Sequence, residues 1–92
     1  MKSLVNNDHV LFDETCYEDK PRDAGEANSH LRYFSEHASR FRTQLSTLDW
    51  SPEDIDELMN LLWTRVITNA RAFRIPLTPG AEVVAKRLKL KL

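Results

Sequence analysis

The chain has 92 residues, of which 41% are hydrophobic and 29% charged, with one cysteine and a net charge of −1. A domain of this length buries roughly 60% of the surface its unfolded chain exposes, which leaves little room for a spacious catalytic cleft, and a lone cysteine excludes an internal disulfide framework. No stretch reaches the roughly eighteen apolar residues of a membrane span, and the N-terminus has no apolar run of signal-peptide length, so the expectation is a cytoplasmic protein without a membrane role, in the host cytoplasm if phage-encoded.

The net charge conceals a gradient. Residues 1–30 carry three cations against seven acids, residues 31–60 three against six, and residues 61–92 seven against Glu82 alone, giving −4, −3 and +6. Such a layout suits a nucleic-acid face, an acidic partner, or neutralisation of one end of the chain by the other.

In chain order, two short apolar runs, Ser3–Val5 and Val10–Phe12, flank Asn6, Asn7 and Asp8 and suggest a hairpin. The stretch from Glu14 to Asn28 is acidic, contains Pro21 and Gly25 and shows no periodicity, which predicts a loop or mobile arm. From about 29 to 47, Leu31, Phe34, Ala38, Phe41, Leu45 and Leu48 recur at spacings of three and four, the stripe of an amphipathic helix. Arg32, Glu36 and Arg40 line its solvent face, where opposite charges four apart meet.

A second helix opens at "SPED", with Ser51 as cap, Pro52 in the first turn and Glu53 and Asp54 at the positive end of the dipole, and is expected to run to Ile75, where Pro76 stops it. Ile55, Met59, Leu62, Val66, Ala70 and Phe73 form its central stripe, which Leu58, Trp63 and Ile67 widen to nearly half the circumference. A helix so broadly apolar must be covered from more than one direction. A second copy of the chain, making a homodimer, would cover it; so would the N-terminal hairpin.

"LTPG" repeats the same start, with Thr78 as cap and Pro79 in the first turn, for a short third helix to about Arg87; Gly80 weakens that turn. From Leu88 the pattern alternates, with Leu88, Leu90 and Leu92 between Lys89 and Lys91, which predicts a strand able to pair with Val10–Phe12. The expected architecture is a mainly α single domain, residues 1–92: an N-terminal arm over 1–28 and a helical core over 29–92. That core is a helical hairpin plus a short C-terminal helix, with a small β element pairing the two termini.

Motifs for chemistry are sparse. His30 and His37 lie seven apart, two helical turns or about 10 Å, too far to share one metal ion. Asp49, Glu53, Asp54, Asp56 and Glu57 cluster where a helix dipole favours acids anyway, Cys16 has no base or ligand companion in the sequence, and two glycines cannot build a phosphate loop. The expectation is a protein that is not an enzyme and takes no cofactor or metal.

What remains is recognition. Arg71, Arg74, Lys86, Arg87, Lys89 and Lys91, with Arg65, can converge at one end of the molecule, although no aromatic residues interleave with them as a single-strand stacking platform requires. Tyr33 between Arg32 and the Arg40 turn is a second candidate surface, of the residue types enriched at interface centres. By analogy of type with small, motif-poor helical accessory proteins of phages and plasmids, the expected role is an inhibitor that binds a host protein or nucleoprotein complex, for example a defence complex in an anti-CRISPR-type role. The alternative is a small nucleic-acid-binding regulator using the basic C-terminal end.

Overall fold

The computed structural model describes residues 15–89, so the expected N-terminal hairpin and residues 90–92 of the alternating tail lie outside the described residues. Helix α1 spans Ala24–Thr47, α2 Pro52–Ala72 and α3 Pro79–Arg87. A helical hairpin followed by a short third helix is therefore the fold, and the described residues contain no strand.

Helix α1 starts five residues earlier than its hydrophobic stripe predicts. Asp23 is its cap: the carboxylate accepts the Glu26 backbone N–H at 2.8 Å, while Glu26 accepts the Arg22 N–H at 3.3 Å. The Asp23 carboxylate satisfies an amide that an uncapped first turn would leave bare, and Glu26 ties back the residue before the cap. The arm expected over 14–28 therefore shrinks to residues before Asp23, and Ala27 is buried rather than part of a loop.

Helices α2 and α3 begin where their caps predict. Ser51 accepts from Asp54 N–H at 3.1 Å and Thr78 from Ala81 N–H at 3.2 Å, each followed by proline in the first turn. The Thr78 hydroxyl also meets Ser35 Oγ at 2.8 Å, so the cap of α3 pins that helix start to the middle of α1.

The helix ends depart from expectation more than the starts. Helix α2 stops at Ala72, three residues short of Ile75, because Arg74 turns into the left-handed region at φ 58°. Arg74 N–H then bonds Arg71 C=O at 3.0 Å and Ile75 N–H bonds Ala70 C=O at 2.8 Å, the paired closure that satisfies the last carbonyls. Phe73, expected in the core stripe, is the cap residue of this turn and is 36% exposed. Asp49 closes α1 in the same way at φ 63°, with Trp50 folded back and buried, and Lys89 ends α3 at φ 58°.

The strand expected from Leu88 does not begin there. Leu88 is the cap of α3, its N–H on Val84 C=O at 2.9 Å, and its side chain packs against the core. Ala81, Val84, Ala85 and Leu88 thus share one helical stripe of spacing three, one and three, so the helical period carries through Leu88.

Helix α2 is the hub. Its Leu58, Leu62, Val66 and Ile67 meet Leu31, Phe34, Phe41 and Leu45 of α1 and Ala81, Val84 and Ala85 of α3 in one core. Phe34, fully buried, holds the Trp63 indole edge-on at 4.8 Å and stacks with Phe41 at 6.3 Å. On α2, Trp63 and Arg65 are two residues and about 200° apart. Trp63 lies beside Val84 of α3, whereas Arg65 donates to the Cys16 carbonyl at 2.9 Å. The third helix therefore covers one flank of α2, and the segment bearing Cys16 and Tyr17 covers the other. Apart from Phe73, the wide apolar arc of α2 is buried within one copy.

Candidate functional site

The turn that ends α2 also builds a strongly charged concavity. After Arg74 reverses the backbone, Ile75-Pro76-Leu77 crosses to Thr78, and α3 returns along α2. Arg71 in the last turn of α2, Arg74 at its close and Lys86 in the last turn of α3 then surround one cleft of about 420 Å³, with Glu82 on the same rim and Ile75 and Leu77 as its apolar wall. Three cations face one acid. Arg71 and Lys86 also stand where cations complement helix C-termini. Arg74 stands at the same helix end, but in a left-handed position that favours glycine, where an arginine carries a backbone cost.

The convergence is narrower than the sequence suggests. Arg65 is engaged with the Cys16 carbonyl 49 residues away, and Arg87 lines a different cleft, together with Arg42 and Asp56. Lys89 is exposed at the end of α3, and Lys91 lies outside the described residues. Of the expected basic set, the structure brings together Arg71, Arg74 and Lys86.

Arg32, Tyr33 and Arg40 sit on the solvent side of α1 and do not line the corner cleft. Tyr33 is 45% exposed, its ring 4.4 Å from His37 and 6.4 Å from Phe41. His37 is half-buried between those rings.

The cleft lined by Arg87 opens between all three helices and measures about 430 Å³. Met59, Trp63 and Val84 form its floor, and an ion pair of Arg42 with Asp56 crosses its rim from α1 to α2. Ser39 and Asn60 add polar groups. Asp56, one member of the acidic cluster at the start of α2, thus gains a partner that no local spacing announces.

A third, smaller hollow of about 260 Å³ lies beneath the N-terminal segment, with Glu18, Asp19 and Glu26 around Tyr17 and His30. The Tyr17 and His30 rings are 5.0 Å apart, and His30 Nδ1 is buried without a hydrogen-bond partner among the described residues. Burial first, and the Cys16 and Tyr33 groups second, push the Tyr17 phenol well above its usual value. Among the described residues no group of three or more His, Cys, Asp or Glu side chains is placed to hold a metal ion, and no helix is long and apolar enough to cross a membrane.

Ile75, Leu77 and Glu82 at the corner, and Met59, Asn60 and Asp56 between the helices, are site residues that the sequence did not single out as such. Two apolar residues around Pro76, set between two cationic helix ends, were the readable signal for the first group; the second had none. No known family model, curated protein or solved structure matches the chain, so its own clefts and charges are what support a functional reading.

Proposed function

We propose that this chain is a non-enzymatic interaction protein, an inhibitor or adaptor that holds a host protein or nucleoprotein complex by the corner where α2 meets α3. The observation that carries this reading is the cleft of Arg71, Arg74 and Lys86 around Ile75 and Leu77. Arginine beside partly exposed apolar side chains is the composition of interface centres, and Phe73, 36% exposed next to Arg74, extends it. A surface that only gripped phosphates would have no use for the apolar wall. The partner surface that fits is acidic with an apolar side chain at its centre. The accessory role on a phage or plasmid remains the biological setting we propose for it.

A second reading, a small nucleic-acid-binding regulator, draws on the same three cations with Arg87 and Lys89 exposed farther along α3. The two separate in one experiment. Affinity capture from nuclease-treated and untreated lysate is compared for the wild-type chain and a variant with Arg71, Arg74 and Lys86 changed to glutamate. The first reading expects a discrete protein that survives nuclease and is lost in the variant. The second expects capture that nuclease abolishes, and direct binding to duplex DNA whose log–log salt slope is near 4.5 for five neutralised phosphates, at about 0.9 each. Capture unchanged by the charge reversal overturns both.

A further inference from the structure

We propose that the cleft between the three helices is a separate binding site, for a small ligand with a flat apolar body and one anionic group. The site follows from helix lengths. At about 1.5 Å per residue, α3 with 9 residues is roughly 13 Å long and α2 with 21 roughly 31 Å, so α3 covers only part of the groove between α1 and α2. Where it stops, near Arg87, the groove opens to about 430 Å³, within the range of about 300–1,000 Å³ usual for small-molecule sites, which also form between bundled helices.

The floor selects the body. Trp63 and Met59 are 7% and 5% exposed, so each presents only a narrow edge to the cleft, and Phe34 fixes the indole by its edge-on contact at 4.8 Å. A rigid indole beside a polarisable thioether favours an aromatic ring over a branched aliphatic chain.

The rim selects the head group. Arg42 and Asp56 pair with each other, so their charges cancel across the opening. Arg87 is the remaining cation, with no ion pair among the described residues, and Asn60 supplies an amide beside it. One net positive charge above an aromatic floor calls for a single carboxylate or sulfonate. The corner cleft shares no lining residue with this one, and Lys86 and Arg87, adjacent on α3, point about 100° apart into different concavities. The site therefore stands independently of the partner surface proposed above.

The test uses 8-anilinonaphthalene-1-sulfonate as the anionic probe and N-phenyl-1-naphthylamine, the same body without the sulfonate, as the neutral one. Binding is followed by probe fluorescence with the wild-type chain, and by quenching of Trp63 in a Trp50→Phe background, since the chain has two tryptophans. The expected result is saturable one-to-one binding of the sulfonate with parallel Trp63 quenching. Arg87→Glu should weaken it at least tenfold while changing the neutral probe less than threefold. Arg74→Glu, at the corner, should leave both within twofold, and near-ultraviolet circular dichroism should match the wild type for both variants. Absence of saturable binding, an equal loss for both probes, or an equal loss in Arg74→Glu would overturn the proposal.

Discussion

Arg74→Gly separates the cost of the corner from its use. Arg74 holds the left-handed backbone that closes α2, with φ 58° and its N–H on Arg71 C=O at 3.0 Å. That conformation costs a residue with a Cβ about 1–2 kcal/mol, which glycine avoids. Glycine in turn loosens the unfolded chain by about 0.4–1 kcal/mol. The balance is a gain of about 0.7 kcal/mol, or about 3–6 °C in melting midpoint for a domain of this size. Arg74→Ala removes the same guanidinium and keeps the strained backbone, so it should stay within about 0.5 kcal/mol of wild type. Urea unfolding followed by circular dichroism reads all three proteins, with unchanged slopes expected. A glycine variant no more stable than the alanine variant would refute the left-handed closure at Arg74. Both variants should lose partner capture if the guanidinium is what the corner retains the strained arginine for.

Other perturbations test other levels of the account. Gly80 lies in the first turn of α3 with open space where a Cβ would stand, so Gly80→Ala should stabilise by about 0.5 kcal/mol in urea titration, and a loss would mean that this turn is not helical. Phe34 joins α1, Tyr17 and Trp63 at ring distances of 5.9 and 4.8 Å; Phe34→Ala should cost about 3–5 kcal/mol, a large share of the about 5–15 kcal/mol available to a domain, and a cost below 1 would contradict its central place. Tyr17 is held neutral in the fold well above the usual phenol value, so its contribution is complete below about pH 10 and falls as pH rises beyond it, when the unfolded phenol ionises and the folded one does not. In urea titrations between pH 8 and 11, Tyr17→Phe should therefore lose less stability than wild type on the alkaline side, and parallel curves would sink this reading.

The parts of the fold written in local chemistry were legible in the sequence. Ser51-Pro52 and Thr78-Pro79 mark the starts of α2 and α3 because a cap hydroxyl and a proline act on their own first turns. Asp23 and Glu26 carried the same kind of signal for α1, but it sat in an acidic stretch with proline and glycine that reads as loop. The end of α2 was hidden because Arg74 occupies a position where glycine is the readable mark. Leu88 alternates with lysines toward the C-terminus yet also continues the stripe of Ala81, Val84 and Ala85, and packing against the core decides for the helix.

The candidate site was half legible for similar reasons. The charge gradient pointed to Arg71, Arg74 and Lys86, but the sequence could not divide Lys86 from Arg87, since that division depends on how α3 is rotated against α2. Arg65 looked like one more surface cation until the fold placed the Cys16 carbonyl beside it, and the Arg42–Asp56 pair joins two helices across fourteen residues.

The most direct test of the central claim places a photo-crosslinking benzophenone residue at Leu77, in the wall of the corner cleft, and in a second protein at Leu61, which is 38% exposed and does not line it. Both are expressed in the cell in which the chain acts and irradiated. The account predicts a discrete protein adduct from position 77, absent from position 61 and lost when Arg71 and Arg74 are changed to glutamate. An adduct from position 61 alone, or one from position 77 that persists after the charge reversal, would contradict it.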